Sequence, residues 1–255
     1  MFPLQTNVYA RTVPVVTWIV IGLNVLVFFF ETQLSPEALT QLTYWFGVVP
    51  ARYTDAEFAA RFAFPESVDR VASPLAAYWP FLTSMFLHGG IMHIVGNMWT
   101  LAIFGRNVED RLGHARYLLF YLLCGIISSV VHVIMNQSST VPAIGASGAI
   151  AGVMGAYLVM FPMSRVIVMV PILIFPFFFD FLAVFYLGYW FLLQLMSGLF
   201  ALTQASASHG GIAFWAHVGG FAAGIVMLGA FLPPRARRRV CHADEGCIEH
   251  AWSHI

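Results

Sequence analysis

The sequence contains no lysine, and only 9% of its 255 residues are charged. Soluble domains carry about 25% charged residues, so this chain lacks the polar side chains needed to cover a folded surface in water. Hydrophobic residues make up 60% of the chain, and the net charge is zero. Outside one short tail there is no basic face for nucleic acid. The composition therefore excludes a nucleic-acid partner and predicts a protein embedded in a lipid bilayer.

Cysteine is also scarce. Cys124 lies in an apolar run, and Cys241 and Cys247 lie in a polar C-terminal tail, so no disulfide framework is predicted. The tail also holds His242, His250 and His254. These side chains could bind a metal, but their spacing matches no metal-binding pattern, and a disordered tail is favoured. We predict no metal site and no cofactor.

Six apolar segments are candidates for transmembrane helices, which need about 20 residues each. They run 13–30, 85–104, 115–135, 147–162, 181–202 and 213–232. No small-residue cleavage site follows the first, which indicates a retained helix. The segment 165–180 is apolar too, but Pro171 and Pro176 oppose a helix, and Asp180 would be costly in mid-bilayer. We expect an interfacial loop there, with the fifth helix starting after Asp180.

Arginine placement supports this count. With the N-terminus inside, nine arginines fall in cytoplasmic segments and three in one outer loop, as the positive-inside rule requires. The predicted fold is an all-α membrane protein, a six-helix bundle with a short fourth helix. Residues 1–12 form a cytoplasmic N-terminus, 13–232 the membrane domain with a long outer loop at 32–79, and 233–255 a cytoplasmic tail. Within the loop, Ser35 before Pro36 predicts a helix start.

Ser147 opens the fourth span in the run IGASGAIAGVMGAY. A serine there could simply cap the helix. However, Gly145 and Gly148 leave its hydroxyl uncrowded, and the helix N-terminus offers N–H groups to a developing oxyanion. The span from Ser147 to Phe161 measures about 21 Å at 1.5 Å per residue. This places Ser147 about 9 Å below the outer surface of a 30 Å hydrocarbon core.

His217 comes out at the same depth, because the sixth span extends about 22 Å from Leu232 back to His217. Small residues recur every fourth position on both helices, and such faces let membrane helices pack closely. They are Ala216, Gly220 and Gly224 on the sixth span, and Gly148 and Gly152 on the fourth. This packing would bring the Ser147 hydroxyl within reach of the His217 imidazole, which a weak nucleophile needs.

His93 and Asn97 lie at i and i+4 in FLHGGIMHIVGNMW, so they share one helix face. His93 falls in the plane of Ser147, and Asn97 somewhat lower. Amide and imidazole N–H donors beside a nucleophile would form an oxyanion hole.

The runs HGGIMHIVGN, GASG and AHVGGFAAG, in this order on the second, fourth and sixth spans, resemble the rhomboid intramembrane serine proteases. The resemblance covers about residues 13–232. It implies that Ser147 is the nucleophile and His217 the general base, a dyad without an acidic member. It also implies that Asn97, His93 and the Ser147 N–H stabilise the oxyanion, with His88 nearby in a lesser role. Some members carry an aromatic ring one turn after the serine, where this chain has Ala151.

Other chemistries fit less well. An aspartyl protease needs two intramembrane acids, and Asp180 is the only candidate. A zinc protease needs a glutamate between its histidines, which His88 and His93 lack. A transporter would want polar groups reaching both sides of the membrane. A catalytically silent rhomboid-like protein that binds membrane helices stays open, although such proteins typically lose the serine or the histidine.

The resemblance implies substrates that are single-pass transmembrane proteins, cut where a small or helix-breaking residue lies near the outer face. We expect the loop 203–213 to cover the site as a lid. Short tails and the lack of a transit peptide favour a prokaryotic cytoplasmic membrane. The sequence leaves the oligomeric state open.

Overall fold

The computed structural model describes residues 2–61, 77–172, 175–203, 213–233, 240–242 and 246–248. Most of this chain is helical. The first half contains β1 Phe2–Thr6, α1 Val15–Glu31, α2 Pro36–Phe46, α3 Ala51–Thr54, α4 Ala56–Arg61, α5 Pro80–Thr83, α6 Ile91–Leu112 and α7 His114–Met135. The second half contains α8 Ser147–Met160, β2 Arg165–Ile172, β3 Phe175–Leu182, α9 Ala183–Thr203, α10 Phe214–Phe231, β4 Val240–His242 and β5 Gly246–Ile248.

Three of the described helices are long and apolar enough to cross a membrane: His114–Met135, Ala183–Leu202 and Phe214–Phe231. Two shorter apolar helices, α1 and α8, accompany them. Large apolar side chains are exposed on the outer faces of several helices. They include Ile19, Leu26, Phe29, Ile91, Met92, Phe185, Phe200 and Val226. A soluble protein rarely exposes so much apolar surface, whereas lipid would cover it.

The predicted second span, 85–104, was wrong at both ends. Its helix α6 begins at Ile91, after an extended stretch through His88, and continues to Leu112. The Gly89–Gly90 pair disfavours helix and delays the start. The charged end continues as helix because Glu109 and Asp110 are buried and bonded to the N-terminal segment. His88 therefore lies in a loop, while His93 and Asn97 share a helix face as predicted.

The predicted loop at 165–180 is instead an antiparallel β-hairpin. Strands β2 and β3 pair from Arg165 opposite Leu182 to Ile172 opposite Phe175, and β1 adds a third strand along β2. Valine, isoleucine and phenylalanine favour a pleated surface, and the prolines lie close to the turn. Asp180 is exposed on β3, and the next helix begins after it, at Ala183, as predicted.

Two described segments of the C-terminal tail are strands, whereas a disordered tail was favoured. Strands β4 and β5 pair antiparallel, with Cys241 opposite Cys247. His250 and His254 lie outside the described residues, so the possible metal site in the tail is not tested. Among the residues that the structure describes, no group of three or more potential metal ligands occurs.

The described part of the loop 32–79 is held against the segment that leads to Ser147. The predicted helix start is confirmed, since Ser35 Oγ accepts the Ala38 N–H at 3.3 Å. Farther along, Val48 and Ala143 exchange two backbone hydrogen bonds of 3.0 and 2.8 Å. This bridge ties residues 47–51 of the loop to the chain before α8.

Helix α8 lies at the centre of the core, where every residue from Gly148 to Tyr157 is buried. It packs against α10, α7 and α6. At the opposite end of the bundle from Ser147, two carboxylates of α6 hold the start of α1. Glu109, which has no exposed surface, accepts the N–H groups of Val16 and Thr17 at 2.8 Å each. A carboxylate at a helix N-terminus satisfies free N–H groups and complements the helix dipole.

Candidate active site

Ser147 is the first residue of α8. Ala146 occupies the cap position, and no side-chain hydrogen bond caps the helix. The Ser147 hydroxyl is instead hydrogen-bonded to Nε2 of His217, with 2.8 Å between Oγ and Nε2. The plainer interpretation, that Ser147 merely caps the helix, does not describe this side chain. Its backbone N–H belongs to the first turn of α8, where N–H groups have no partner inside the helix.

Glycines let α8 and α10 approach closely enough for this contact. A Cβ on Gly220 would overlap the carbonyl oxygen of Gly148, and a Cβ on Gly224 would overlap that of Gly152. The two helices therefore pack backbone against backbone. The recurrence of a small residue at every fourth position predicted this packing. His217 lies less than one turn before Gly220, so this packing sets its distance from Ser147.

The second ring nitrogen of His217 also has a partner. Its Nδ1 lies 2.8 Å from Oε1 of Gln194, on α9. One turn earlier on the same helix, the ring of Trp190 packs on the imidazole, with 5.8 Å between ring centroids. An aromatic ring of α9 thus contacts the histidine. The position one turn after Ser147 on α8, where some family members carry an aromatic ring, is Ala151 in this chain.

Sequence reasoning missed both α9 residues. Gln194 is a polar side chain inside an apolar span, and such a residue needs a partner. That signal was available in the run YWFLLQLMSG, but the pattern alone does not tell which neighbour the side chain faces.

His93 and Asn97 converge on Gly145, two residues before Ser147. A Cβ on Gly145 would lie 2.6 Å from His93 Nε2 and 3.5 Å from Asn97 Nδ2. His93 Nδ1 accepts the N–H of Gly89 at 3.3 Å. Neutral imidazole carries one proton, which must therefore reside on Nε2. His93 thus presents an N–H donor toward the residues that precede Ser147.

His88 orients Asn97. The Asn97 amide donates to His88 Nε2 at 3.0 Å, which uses one of its two N–H groups and leaves the other for a further acceptor. The rings of His88 and His93 contact each other edge to face, with 5.1 Å between centroids. The residue that sequence analysis placed near the site with a lesser role is thus in direct contact with both predicted oxyanion donors.

A buried acid also supports this loop. Glu31, at the end of α1, is 2% exposed, and its two carboxylate oxygens lie 3.3 and 3.2 Å from the His88 backbone nitrogen.

Sequence analysis considered only Asp180 as an intramembrane acid, but Asp180 is exposed. Within the described part of the chain, the buried acids are Glu31, Glu109 and Asp110. Glu31 is the last residue of α1, whereas Glu109 is bonded to the first turn of α1, so these two carboxyl groups lie at opposite ends of that helix and do not pair. The predicted lid at 203–213 lies almost wholly outside the described residues.

The fold and these contacts define a class, namely helical membrane proteins with a serine and a histidine hydrogen-bonded between their helices. The chain belongs to the rhomboid family, because the model of the Rhomboid domain matches residues 75–234, well over half of the sequence.

Named relatives match over a shorter stretch. RHOMBOID-like protein 6, mitochondrial, of Arabidopsis thaliana is 42% identical over 80 residues, which are 31% of this chain and 25% of that protein. Rhomboid protease GluP of Bacillus subtilis (strain 168) is 42% identical over 81 residues, 32% of this chain and 15% of that protein. RHOMBOID-like protein 2 of Arabidopsis thaliana is 39% identical over 74 residues, 29% of this chain and 23% of that protein. Each match therefore spans a quarter or less of the relative's own length.

Proposed function

We propose that this protein is an intramembrane serine endopeptidase that hydrolyses peptide bonds in or next to transmembrane helices. Ser147 is the nucleophile and His217 the general base. The observation that carries the proposal is the 2.8 Å hydrogen bond between Ser147 Oγ and His217 Nε2. Rhomboid family membership and the name of the relative GluP, a protease, support the same conclusion.

The reaction begins when His217 Nε2 takes the Ser147 proton and Oγ attacks the substrate carbonyl carbon. Negative charge develops on the carbonyl oxygen, and the His93 Nε2–H, the free Asn97 N–H and the Ser147 backbone N–H stabilise it. His217 then gives its proton to the departing amine, which leaves an acyl ester on Ser147. Water, activated by His217, hydrolyses the ester and restores the hydroxyl.

The substrates that fit this site are single-pass transmembrane proteins. A transmembrane helix hides its carbonyl groups in internal hydrogen bonds, so the cleaved segment must unwind locally. Small or helix-breaking residues near the outer face make unwinding easier. We propose that six helices cross the bilayer with both termini in the cytoplasm of a prokaryotic cell. In this arrangement the 14-residue α8 is the shortest of the crossing helices, and its first residue, Ser147, lies on the outer side.

A serine-directed fluorophosphonate tests the nucleophile in the purified full chain. We expect labelling of the unsubstituted protein, none of the Ser147→Ala variant, and labelling of His217→Ala slowed by at least about 10²-fold because the base is lost. Equal labelling of all three proteins would reject the dyad. No labelling of the folded, unsubstituted protein, together with retained binding of a transmembrane peptide, would instead favour a silent rhomboid-like protein.

A further inference from the structure

We propose that Gln194 is a positioning residue that holds the proton of His217 on Nδ1, and so keeps Nε2 free to accept the proton of Ser147. The proposal rests on the function proposed above. Gln194 Oε1 lies 2.8 Å from Nδ1, and a carbonyl oxygen can only accept. Nδ1 must therefore carry the hydrogen. Because neutral imidazole has one N–H, Nε2 has an open lone pair toward Ser147.

The opposite arrangement would disable the base. If an N–H donor faced Nδ1, the imidazole proton would move to Nε2, and His217 would donate to Ser147 Oγ instead of accepting from it. A histidine in a flexible setting populates both forms, and only one of them can deprotonate the serine. An acceptor at Nδ1 is therefore a requirement of the proposed chemistry, and Gln194 supplies it.

A neutral amide suits this depth in the protein. In soluble serine proteases a buried aspartate orients the histidine and also stabilises its charged form. A carboxylate inside a bilayer is costly, whereas an amide carries no charge and still accepts a hydrogen bond. Among the residues that the structure describes, Gln194 is the side chain hydrogen-bonded to Nδ1 of His217.

One face of α9 makes both contacts with His217. Trp190 and Gln194 are spaced i and i+4, so they project from the same face. The Trp190 ring packs on the imidazole of His217 and also on the ring of Phe221 in α10. The centroids of the Trp190 and Phe221 rings are 5.9 Å apart. The tryptophan limits the tilt of the ring, and the glutamine sets its proton. Helix α9 thus completes a site whose other members come from α6, α8 and α10.

Nitrogen NMR of the full chain in detergent micelles, labelled with ¹⁵N-histidine, measures the proton position directly. The His217 signals are identified by their loss in the His217→Ala variant. We expect a protonated Nδ1 and an unprotonated Nε2 at neutral or higher pH. A proton that resides mainly on Nε2 of the unsubstituted protein would overturn the proposal without any variant at Gln194.

Two substitutions separate the hydrogen bond from packing. Gln194→Met keeps a similar length but has no acceptor, and Gln194→Glu keeps an acceptor at the same distance. We expect the rate of fluorophosphonate labelling to fall about tenfold in Gln194→Met, the loss of roughly one hydrogen bond, and to stay within about threefold in Gln194→Glu. In Gln194→Met the His217 proton should also spread over both nitrogens. Leu193→Met, at a neighbouring side chain that is 43% exposed, is the matched control and should change neither quantity.

The same experiments distinguish the two proposals. If Ser147→Ala is labelled as fast as the unsubstituted protein, the proposed function fails. If Ser147→Ala is not labelled, but Gln194→Met keeps the full rate and the proton on Nδ1, the function stands and the role of Gln194 falls. If Gln194→Met unfolds, the NMR of the unsubstituted protein decides.

Discussion

Gly220 of α10 lies directly against the carbonyl oxygen of Gly148 in α8, so closely that a Cβ at position 220 would overlap that oxygen. Gly148 follows Ser147, and Gly220 lies three residues after His217. The same contact that joins the two helices therefore sets the distance between the serine and the histidine. Helix packing and the geometry of the candidate site cannot be changed independently here.

Gly220→Ala is expected to push α10 away from α8. Overpacking of a close contact costs about 1–3 kcal/mol, so the free energy of unfolding should fall by that amount. The Ser147–His217 hydrogen bond should lengthen, and the fraction of protein that remains folded should be labelled more slowly by a fluorophosphonate. Thermal unfolding and labelling rates measure the two effects.

Gly229→Ala provides the control on the same helix. No atom lies within 4 Å of a Cβ at that position. Alanine has a higher helix propensity than glycine by up to about 1 kcal/mol, so this variant should be as stable as the unsubstituted protein or more stable. Equal losses from both substitutions would show that the contact with Gly148 is not what limits stability.

Gly145 is required for two separate reasons. Its φ of +118° is a backbone conformation that residues with a side chain rarely adopt, and a Cβ there would lie 2.6 Å from His93 Nε2. Gly145→Ala is expected to displace the His93 donor, and folded protein should lose peptide cleavage by about 10²-fold or more. Cleavage of a transmembrane substrate in micelles, corrected for the folded fraction, measures this loss.

Gly113→Ala separates backbone strain from the collision. Gly113 has a φ of +78°, but no atom lies within 4 Å of its Cβ position. This variant should lose about 1–3 kcal/mol of stability through strain alone and keep its cleavage rate when folded. If Gly113→Ala and Gly145→Ala behaved alike, the collision with His93 would have no catalytic consequence.

Polar residues within apolar spans, together with the spacing of small residues, predicted that the side chains of Ser147 and His217 would meet. Ser147 and His217 were matched in depth by counting residues from the inner ends of their helices, Phe161 and Leu232, and the recurrence of small residues at every fourth position predicted the face on which those helices pack. Both arguments use local patterns, because depth in a membrane follows from helix length. The contacts of His93 and Asn97 with Gly145 agree with the expectation from their shared helix face.

Long-range partners and the choice between strand and helix could not be predicted in this way. The run 166–179 is apolar throughout and has no alternation, so its pattern does not distinguish a strand from a loop. Its pairing with Phe2–Thr6 joins segments more than 150 residues apart. Gln194 was visible as a polar residue, but the face of α9 that meets His217 depends on packing. Glu109 bonds to N–H groups 92 and 93 residues away, which no local pattern indicates.

Asn97→Ala is expected to slow cleavage more than His88→Ala. In our proposal the Asn97 amide contacts the oxyanion, and removal of one such donor costs about 2.7–4 kcal/mol, or about 10²–10³-fold in kcat. His88 does not donate to the oxyanion and acts by accepting the other Asn97 N–H, so its loss should cost about tenfold or less. The double variant should be no slower than Asn97→Ala alone, since both changes remove the same function.

Asn107→Ala is the matched control for Asn97. Asn107 is also buried on α6, ten residues farther along, and its amide donates to Thr6 Oγ1 at 3.0 Å. Its loss should lower the unfolding temperature but leave kcat of the folded protein unchanged. A drop in kcat equal to that of Asn97→Ala would mean that any buried amide on this helix is needed, and would remove the case for an oxyanion donor.

Glu109 should be the most sensitive position at the end of the bundle opposite Ser147. Its side chain is fully buried and accepts three hydrogen bonds from the start of α1, from the N–H groups of Val16 and Thr17 and from the Thr17 hydroxyl at 2.6 Å. Hydrogen bonds to a charged group contribute about 1.5–3 kcal/mol each, and their loss leaves buried donors unpaired. Glu109→Ala should therefore lower the free energy of unfolding by at least about 3 kcal/mol, while Glu109→Gln, which keeps one acceptor oxygen, should lose less. Labelling of Ser147 in the folded fraction of Glu109→Gln should match that of the unsubstituted protein, because this acid holds the start of α1 and does not reach the site. Slower labelling at full stability would instead indicate that the start of α1 and the Ser147 site are coupled through α6.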